Sequence, residues 1–213
     1  MIALIIGATG ATGNDLLQQL LADDNYTAVL AFVRRPLSNS HPKLHTHVVD
    51  FEKPETWTTL LRGDVAFACL GTTLAQAGSK DVQWRIDYDY QLQFAQNCQR
   101  NGVATFVLVS SAGANGKSKI FYNRMKGQLE EAIKSLNFNT FLIFQPSVLV
   151  RRGSDRKGEN ISVKVFAFLN KLGILKSYRP MPTEILAQKM LSAVQHSPKG
   201  TFTFALDNIF EIQ

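Results

Sequence analysis

The chain has 213 residues, 45% of them hydrophobic and 19% charged, which excludes a disordered chain and is enough for one sizeable core. Lys and Arg number 23 against 17 Asp and Glu, a formal net charge of +6. The excess is dispersed apart from Arg34-Arg35 and the 151–157 region, which favours local anion sites over a nucleic-acid track. Two cysteines, Cys69 and Cys98, exclude a disulfide framework and form no metal-like pair. No apolar run reaches membrane-spanning length, and no export-type signal opens the chain, so a cytoplasmic location is expected.

The first predicted element is a short apolar strand over residues 1–6. It runs into Gly7-Ala8-Thr9-Gly10-Ala11-Thr12-Gly13, after which Leu16, Leu17, Leu20 and Leu21 recur on one helical face. Strand, glycine turn and helix in that order point to a dinucleotide-binding turn. Gly7 permits the sharp exit from the strand, Gly10 lets a pyrophosphate approach, and Gly13 lets the helix pack closely. The free N–H groups and positive end of the helix then face the phosphates. The spacing is Gly-x-x-Gly-x-x-Gly, and glycine spacing alone would also suit an ordinary turn.

Further strands are expected at 27–33, 46–49 and 65–70, followed by a long helix over 82–101 that Gly102 ends. A fifth strand at 104–109, a helix at 121–135 and a sixth strand at 140–144 continue the alternation. Strands separated by helices predict an α/β fold, a doubly wound, mainly parallel sheet in one domain. The rhythm changes after Gln145-Pro146. A polar loop at 151–158, helices at 162–172 and 183–194 and a strand at 201–205 are expected, with 146–213 contributing a cap on the ligand side.

The fifth strand leads into Ser110-Ser111-Ala112-Gly113-Ala114, and Tyr122-Asn123-Arg124-Met125-Lys126 follows on the next helix. With the glycine turn, these residues resemble the short-chain dehydrogenase/reductase superfamily. The glycine spacing, the serine stretch and the Tyr-Arg-Pro-Met-Pro segment before a helix are similar to its atypical members, the Tat-interacting protein group and its bacterial oxidoreductase-like relatives. The resemblance covers most of the chain and implies an NAD(P)-binding Rossmann protein.

Tyr122 and Lys126 are four residues apart and share a helix face. A phenol with its usual pKa of about 10 is a poor base at neutral pH. A cation about 4 Å away supplies about 4 kcal/mol toward the phenolate at an effective dielectric near 20. Tyr122 is therefore the candidate acid/base, Lys126 its tuning cation, and Ser111, ahead of Ser110, the group that orients a substrate oxygen. The resemblance favours Ser111 because it immediately precedes the Ala-Gly loop.

The second strand ends on Arg34-Arg35-Pro36 where an acidic residue would bind the ribose of NAD. Arginine there suits a 2′-phosphate, so NADP is the expected cofactor. Gly7, Thr9, Gly10, Ala11, Thr12, Gly13, Arg34, Arg35, Asp50, Leu70, Gly71, Thr72 and Lys126 make up the expected cofactor site, with Asp50 near the adenine and the Leu70–Thr72 loop near the ribose or nicotinamide. His41, His45 and His47 supply no complete metal set. Asp87 and Asp89 read as helix-surface charges. The expected partner is a small carbonyl or alcohol, with a protein partner possible and no nucleic acid expected. Gln145 before Pro146 departs from the arginine common in such relatives. A regulatory or interaction protein that has kept the cofactor site is the other reading.

Overall fold

The computed structural model describes residues 1–150 and 179–213. The expected loop at 151–158 and helix at 162–172 lie outside the described residues, as do Phe166, Phe168 and Tyr178, which the sequence offers as candidates to line a substrate pocket under the cap.

The elements are β1 (Ile2–Ile6), α1 (Ala11–Ala22), β2 (Ala28–Val33), β3 (Leu44–Val48), β4 (Val65–Ala68), α2 (Leu74–Ala77), α3 (Lys80–Trp84), α4 (Tyr90–Arg100), β5 (Thr105–Val109), α5 (Phe121–Lys134), β6 (Thr140–Gln145), β7 (Leu149–Val150), β8 (Met181–Pro182), α6 (Thr183–His196) and β9 (Gly200–Ala205). Seven strands form one sheet in the order β3-β2-β1-β4-β5-β6-β9, and every pair in it is parallel. β7 and β8 pair separately. The doubly wound parallel sheet is the one expected from the sequence.

Side chains alternate across the sheet. Ala3 and Ile5 of β1 join one buried cluster with Leu16, Leu17 and Leu20 of α1 and Leu186 and Met190 of α6. Leu4 and Ile6 join the opposite cluster with Phe94 of α4 and Leu129 and Ile133 of α5. Both faces of the central strands are therefore covered, which is why β1 and β4 read as continuous apolar runs rather than alternating ones. The described part of the last third belongs to these layers: α6 packs on α1 and β9 closes one edge of the sheet.

The long helix is not uniform. Ser79 caps α3 by accepting from the Val82 N–H at 3.2 Å, and a single π turn at Arg85–Asp89 joins α3 to α4. A π turn inserts one residue and rotates the side chains before it relative to those after it. Asp87 lies within this turn and is fully buried, so it is not the surface charge expected from the sequence. Gly102, at φ +83°, ends the helix in the left-handed conformation as expected.

Candidate functional site

The strand order reverses between β1 and β4, and the crevice beyond their carboxyl ends is where open α/β sheets place ligands. Gly7 stands at φ +82°, and a Cβ there would lie 2.4 Å from the Cys69 carbonyl carbon. A Cβ on Gly13 would lie 2.1 Å from the Gly7 oxygen, so this glycine is needed for α1 to fold back onto the turn itself. Gly10 differs: its added Cβ would meet only the Gly7 oxygen at 3.2 Å, with the Cys69 oxygen at 3.9 Å. Gly10 N donates to Gly7 O at 2.9 Å, and Asn14 N to Gly10 O at 2.8 Å, so the turn leads straight into the first helical bond. The glycine turn therefore has the shape of a dinucleotide cradle, with the helix N-terminus exposed to the crevice.

Two cavities meet there. One, of about 390 Å³, is lined by Gly7, Thr9, Gly10, Arg34, Leu70, Gly71, Thr72 and Tyr90, among others. The other, of about 200 Å³, runs from Gly10, Ala11 and Thr12 past Leu70–Thr72 to Ser110, Tyr122 and Lys126. Arg34 thus borders the glycine turn, whereas Arg35 is exposed and lines neither cavity. Asp50 also lines neither. Its carboxylate accepts from Glu52 N at 3.0 Å in a local turn, and its neighbour Phe51 borders the larger cavity instead. Tyr90, which sequence reasoning missed, donates to Glu52 Oε1 at 2.5 Å beside that cavity. Arg85 pairs with the same oxygen at 3.3 Å. Burial, and then the hydrogen bond to Glu52, push the Tyr90 phenol up to about 12.

Tyr122 and Lys126 share one face of α5, and Lys126 Nζ lies 5.9 Å from the centre of the Tyr122 ring. The lysine is only 2% exposed, and its Nζ meets Asp87 Oδ1 at 3.3 Å. Asp87 Oδ2 accepts from Thr72 N at 3.0 Å, so one carboxylate ties the lysine to the loop after β4. Burial disfavours the ammonium form, but Tyr122 and then Asp87 outweigh it and hold Lys126 above the usual lysine value. Burial pushes the Asp87 carboxyl up, against the pull of Lys126 and the Thr72 N–H. Helical spacing puts Asp87 on one stripe with Gln91, Phe94, Ala95 and Cys98, a sequence signal for its burial though not for its partner.

Glu130 extends the α5 face one further turn. It accepts from the Ser110 hydroxyl and, through both oxygens, from Gln145 Nε2 at 3.0 Å each. Ser110 lines the smaller cavity and a neighbouring one of about 280 Å³ toward Ser147 and Leu149. Ser111 lines that neighbouring cavity and neither of the first two, and donates weakly to Ala112 O at 3.4 Å. Spacing of four from Tyr122 to Lys126 to Glu130 was the available signal for this residue. Among the described residues no group of three metal-ligating side chains converges. No helix among them is long and apolar enough to cross a membrane.

This fold and crevice define an NAD(P)-binding Rossmann protein of the atypical short-chain dehydrogenase/reductase kind. Residues 7–161 match the NAD(P)H-binding family, to which the chain belongs, and within it the chain groups with the HTATIP2 and FMP52 proteins. It is 36% identical over 170 residues to Protein HTATIP2 of Rattus norvegicus, covering 78% of this chain and 70% of that one. It is 34% identical over 212 residues to the mitochondrial Protein FMP52 of Candida glabrata, covering 93% and 88%. Among solved structures, MoeE5 in complex with UDP-glucuronic acid and NAD superposes with a TM-score of 0.75 at 13% identity, covering 97% of this chain and 76% of that one. A short-chain dehydrogenase/reductase superfamily protein from Agrobacterium tumefaciens with bound NAD gives 0.72 at 14%, covering 97% and 77%. At such identities these structures speak for the fold. The expected cytoplasmic location is overturned, because FMP52 relatives from several fungi are named as mitochondrial proteins.

Proposed function

We infer that the chain is an NADP-dependent oxidoreductase interconverting a carbonyl and an alcohol on a small molecule. The observation that carries this reading is the cavity whose wall joins the glycine turn to Ser110, Tyr122 and Lys126. Gly10, Ala11 and Thr12 would hold the pyrophosphate, Arg34 the 2′-phosphate, and Leu70–Thr72 the ribose side. Bound there, the nicotinamide supplies or accepts the hydride. Tyr122 gives a proton to the carbonyl oxygen in reduction and takes one from the alcohol in oxidation. Lys126 supports the phenolate, and a serine at the end of β5, Ser111 or Ser110, orients the oxygen.

The second reading, a cofactor-binding regulator with little turnover, draws on a specific contact. Lys126 shares its charge with buried Asp87, which weakens its hold on Tyr122.

Calorimetric titration with NADPH and NADH, followed by a carbonyl screen reading NADPH oxidation, tests both. A charge-assisted contact from Arg34 should favour NADPH by roughly ten- to hundredfold, and Arg34→Ala should remove the preference. Tyr122→Phe should bind NADPH and lose turnover. Equal affinities unchanged in Arg34→Ala would remove the NADP assignment. Tight NADPH binding without turnover across the screen would favour the regulator.

A further inference from the structure

Ser110 directly follows β5 and Gln145 ends β6, on adjacent parallel strands, and Ser110 N donates to Phe144 O at 2.7 Å. Glu130 of α5 meets both, and these two partners are one hydroxyl and one carboxamide, both neutral. A serine hydroxyl has one proton and two lone pairs, and a carboxylate can only accept. While Glu130 is ionised, the Ser110 proton is committed to it. Ser110 then shows the cavity lone pairs alone, and a ligand oxygen there must bring its own proton, as an alcohol does. Once Glu130 is protonated, its O–H can donate to Ser110 Oγ. The serine proton is then free for a carbonyl oxygen. Gln145 Nε2 remains a donor to Glu130 in both forms.

We propose that Glu130 is a positioning residue that acts through Ser110 to select the redox state of the bound ligand, the alcohol when ionised and the carbonyl when protonated. This rests on the oxidoreductase reading and names Ser110 as the serine that meets the ligand. Burial pushes the Glu130 carboxyl up. The Ser110 and Gln145 hydrogen bonds and the charge of Lys126, one turn earlier, pull it down, and Glu131 pushes it up, leaving it above the usual glutamate value of 4.5. Among the described residues, no arginine or lysine from the sheet is paired with it to pin the ionised form.

Two measurements on the full chain test the selector. The first is isotope-edited infrared titration of the carboxyl band, assigned by its loss in Glu130→Gln. Its midpoint should lie above 4.5 in the wild type. In Gln145→Arg it should fall by roughly one to three units, the effect of a cation within about 4–6 Å. The second is the binding of cyclohexanol to the NADPH complex and of cyclohexanone to the NADP⁺ complex, across pH. As pH falls through the carboxyl midpoint, the alcohol should weaken and the ketone tighten by roughly three- to tenfold each, the worth of one hydrogen bond. Glu130→Gln, whose amide donates to Ser110 at every pH, should keep the ketone preference throughout. Ser111→Ala should retain the step and Ser110→Ala abolish it. A carboxyl midpoint at or below the usual value overturns the proposal. So does an identical pH response of the two probes in wild type and Glu130→Gln. Failure of the oxidoreductase reading shows separately, as absent turnover in the carbonyl screen with the carboxyl titration and ligand step intact.

Discussion

At the scale of single residues, the glycine turn separates folding from binding. Gly13 has no room for a side chain, since a Cβ there would stand 2.1 Å from backbone oxygen that cannot move independently of β1. Gly10 has nearly enough room, at 3.2 Å, and borders both cavities of the crevice. Alanine should therefore act differently at the two sites. Gly13→Ala should cost about 1–3 kcal/mol or more by overpacking, which a helix-propensity gain of about 1 kcal/mol offsets only in part. Gly10→Ala should leave the melting temperature close to the wild type and weaken NADPH binding at least tenfold, because the methyl occupies the approach path of the pyrophosphate. Thermal melts paired with calorimetry check both. A Gly10→Ala protein that binds NADPH normally would remove this glycine from the cofactor wall.

At the scale of elements, the site depends on two helices meeting. Asp87 lies buried within the π turn between α3 and α4, and α5 presents Tyr122, Lys126 and Glu130 at intervals of one turn. Asp87→Asn is the informative change, because the amide oxygen can still accept from Thr72 N while the charge is lost. Removing one partner of a buried pair costs about 3–5 kcal/mol, since the other charge is left without compensation. The pH dependence has a definite sign. Lys126 is held above its usual value when folded, so its stabilising contribution is complete below the unfolded value of 10.5 and is lost as pH rises through the folded one. Asp87→Asn should therefore be destabilised at neutral pH and lose less stability than the wild type on going alkaline. Urea unfolding at neutral and alkaline pH gives the comparison; parallel losses in the two proteins would show that the pair carries no net charge interaction.

At the scale of the whole molecule, binding is confined to one end of the sheet while both of its faces are core. The cavities draw on the carboxyl ends of β1, β4 and β5, on α1 and on α5, and none of their lining residues comes from α6. α6 instead seals, together with α1, the core on one face of the sheet through Leu186, Ala187 and Met190, all fully buried. Met190→Ala should cost about 2–5 kcal/mol through the cavity it leaves. For a chain of this size each kcal/mol lowers the melting temperature by about 2–4 °C. NADPH affinity below the melting transition should stay within about twofold of wild type. A large loss of affinity in the folded protein would mean that α6 shapes the crevice through the sheet.

Local pattern determined much of this protein. Six strands of the main sheet, the glycine turn, the Tyr122–Lys126 face and the class of cofactor were legible because each is written in short-range spacing: period, turn chemistry and residue type. The final strand was legible as an element, but its parallel place beside β6 was not. Tertiary structure alone decided which partners those faces meet. It turned Asp87 from an expected surface charge into the buried partner of Lys126 and tied Ser110 to Glu130 and Gln145. It also left Asp50 and Arg35 outside both cavities, the larger of which Arg34 and Phe51 border. The physical reason is common to all of these. Periodicity fixes the direction in which a side chain leaves its own helix or strand, whereas a charge is paired or a hydroxyl committed by groups distant in the chain, whose approach is set by the packing of the whole sheet and its helices.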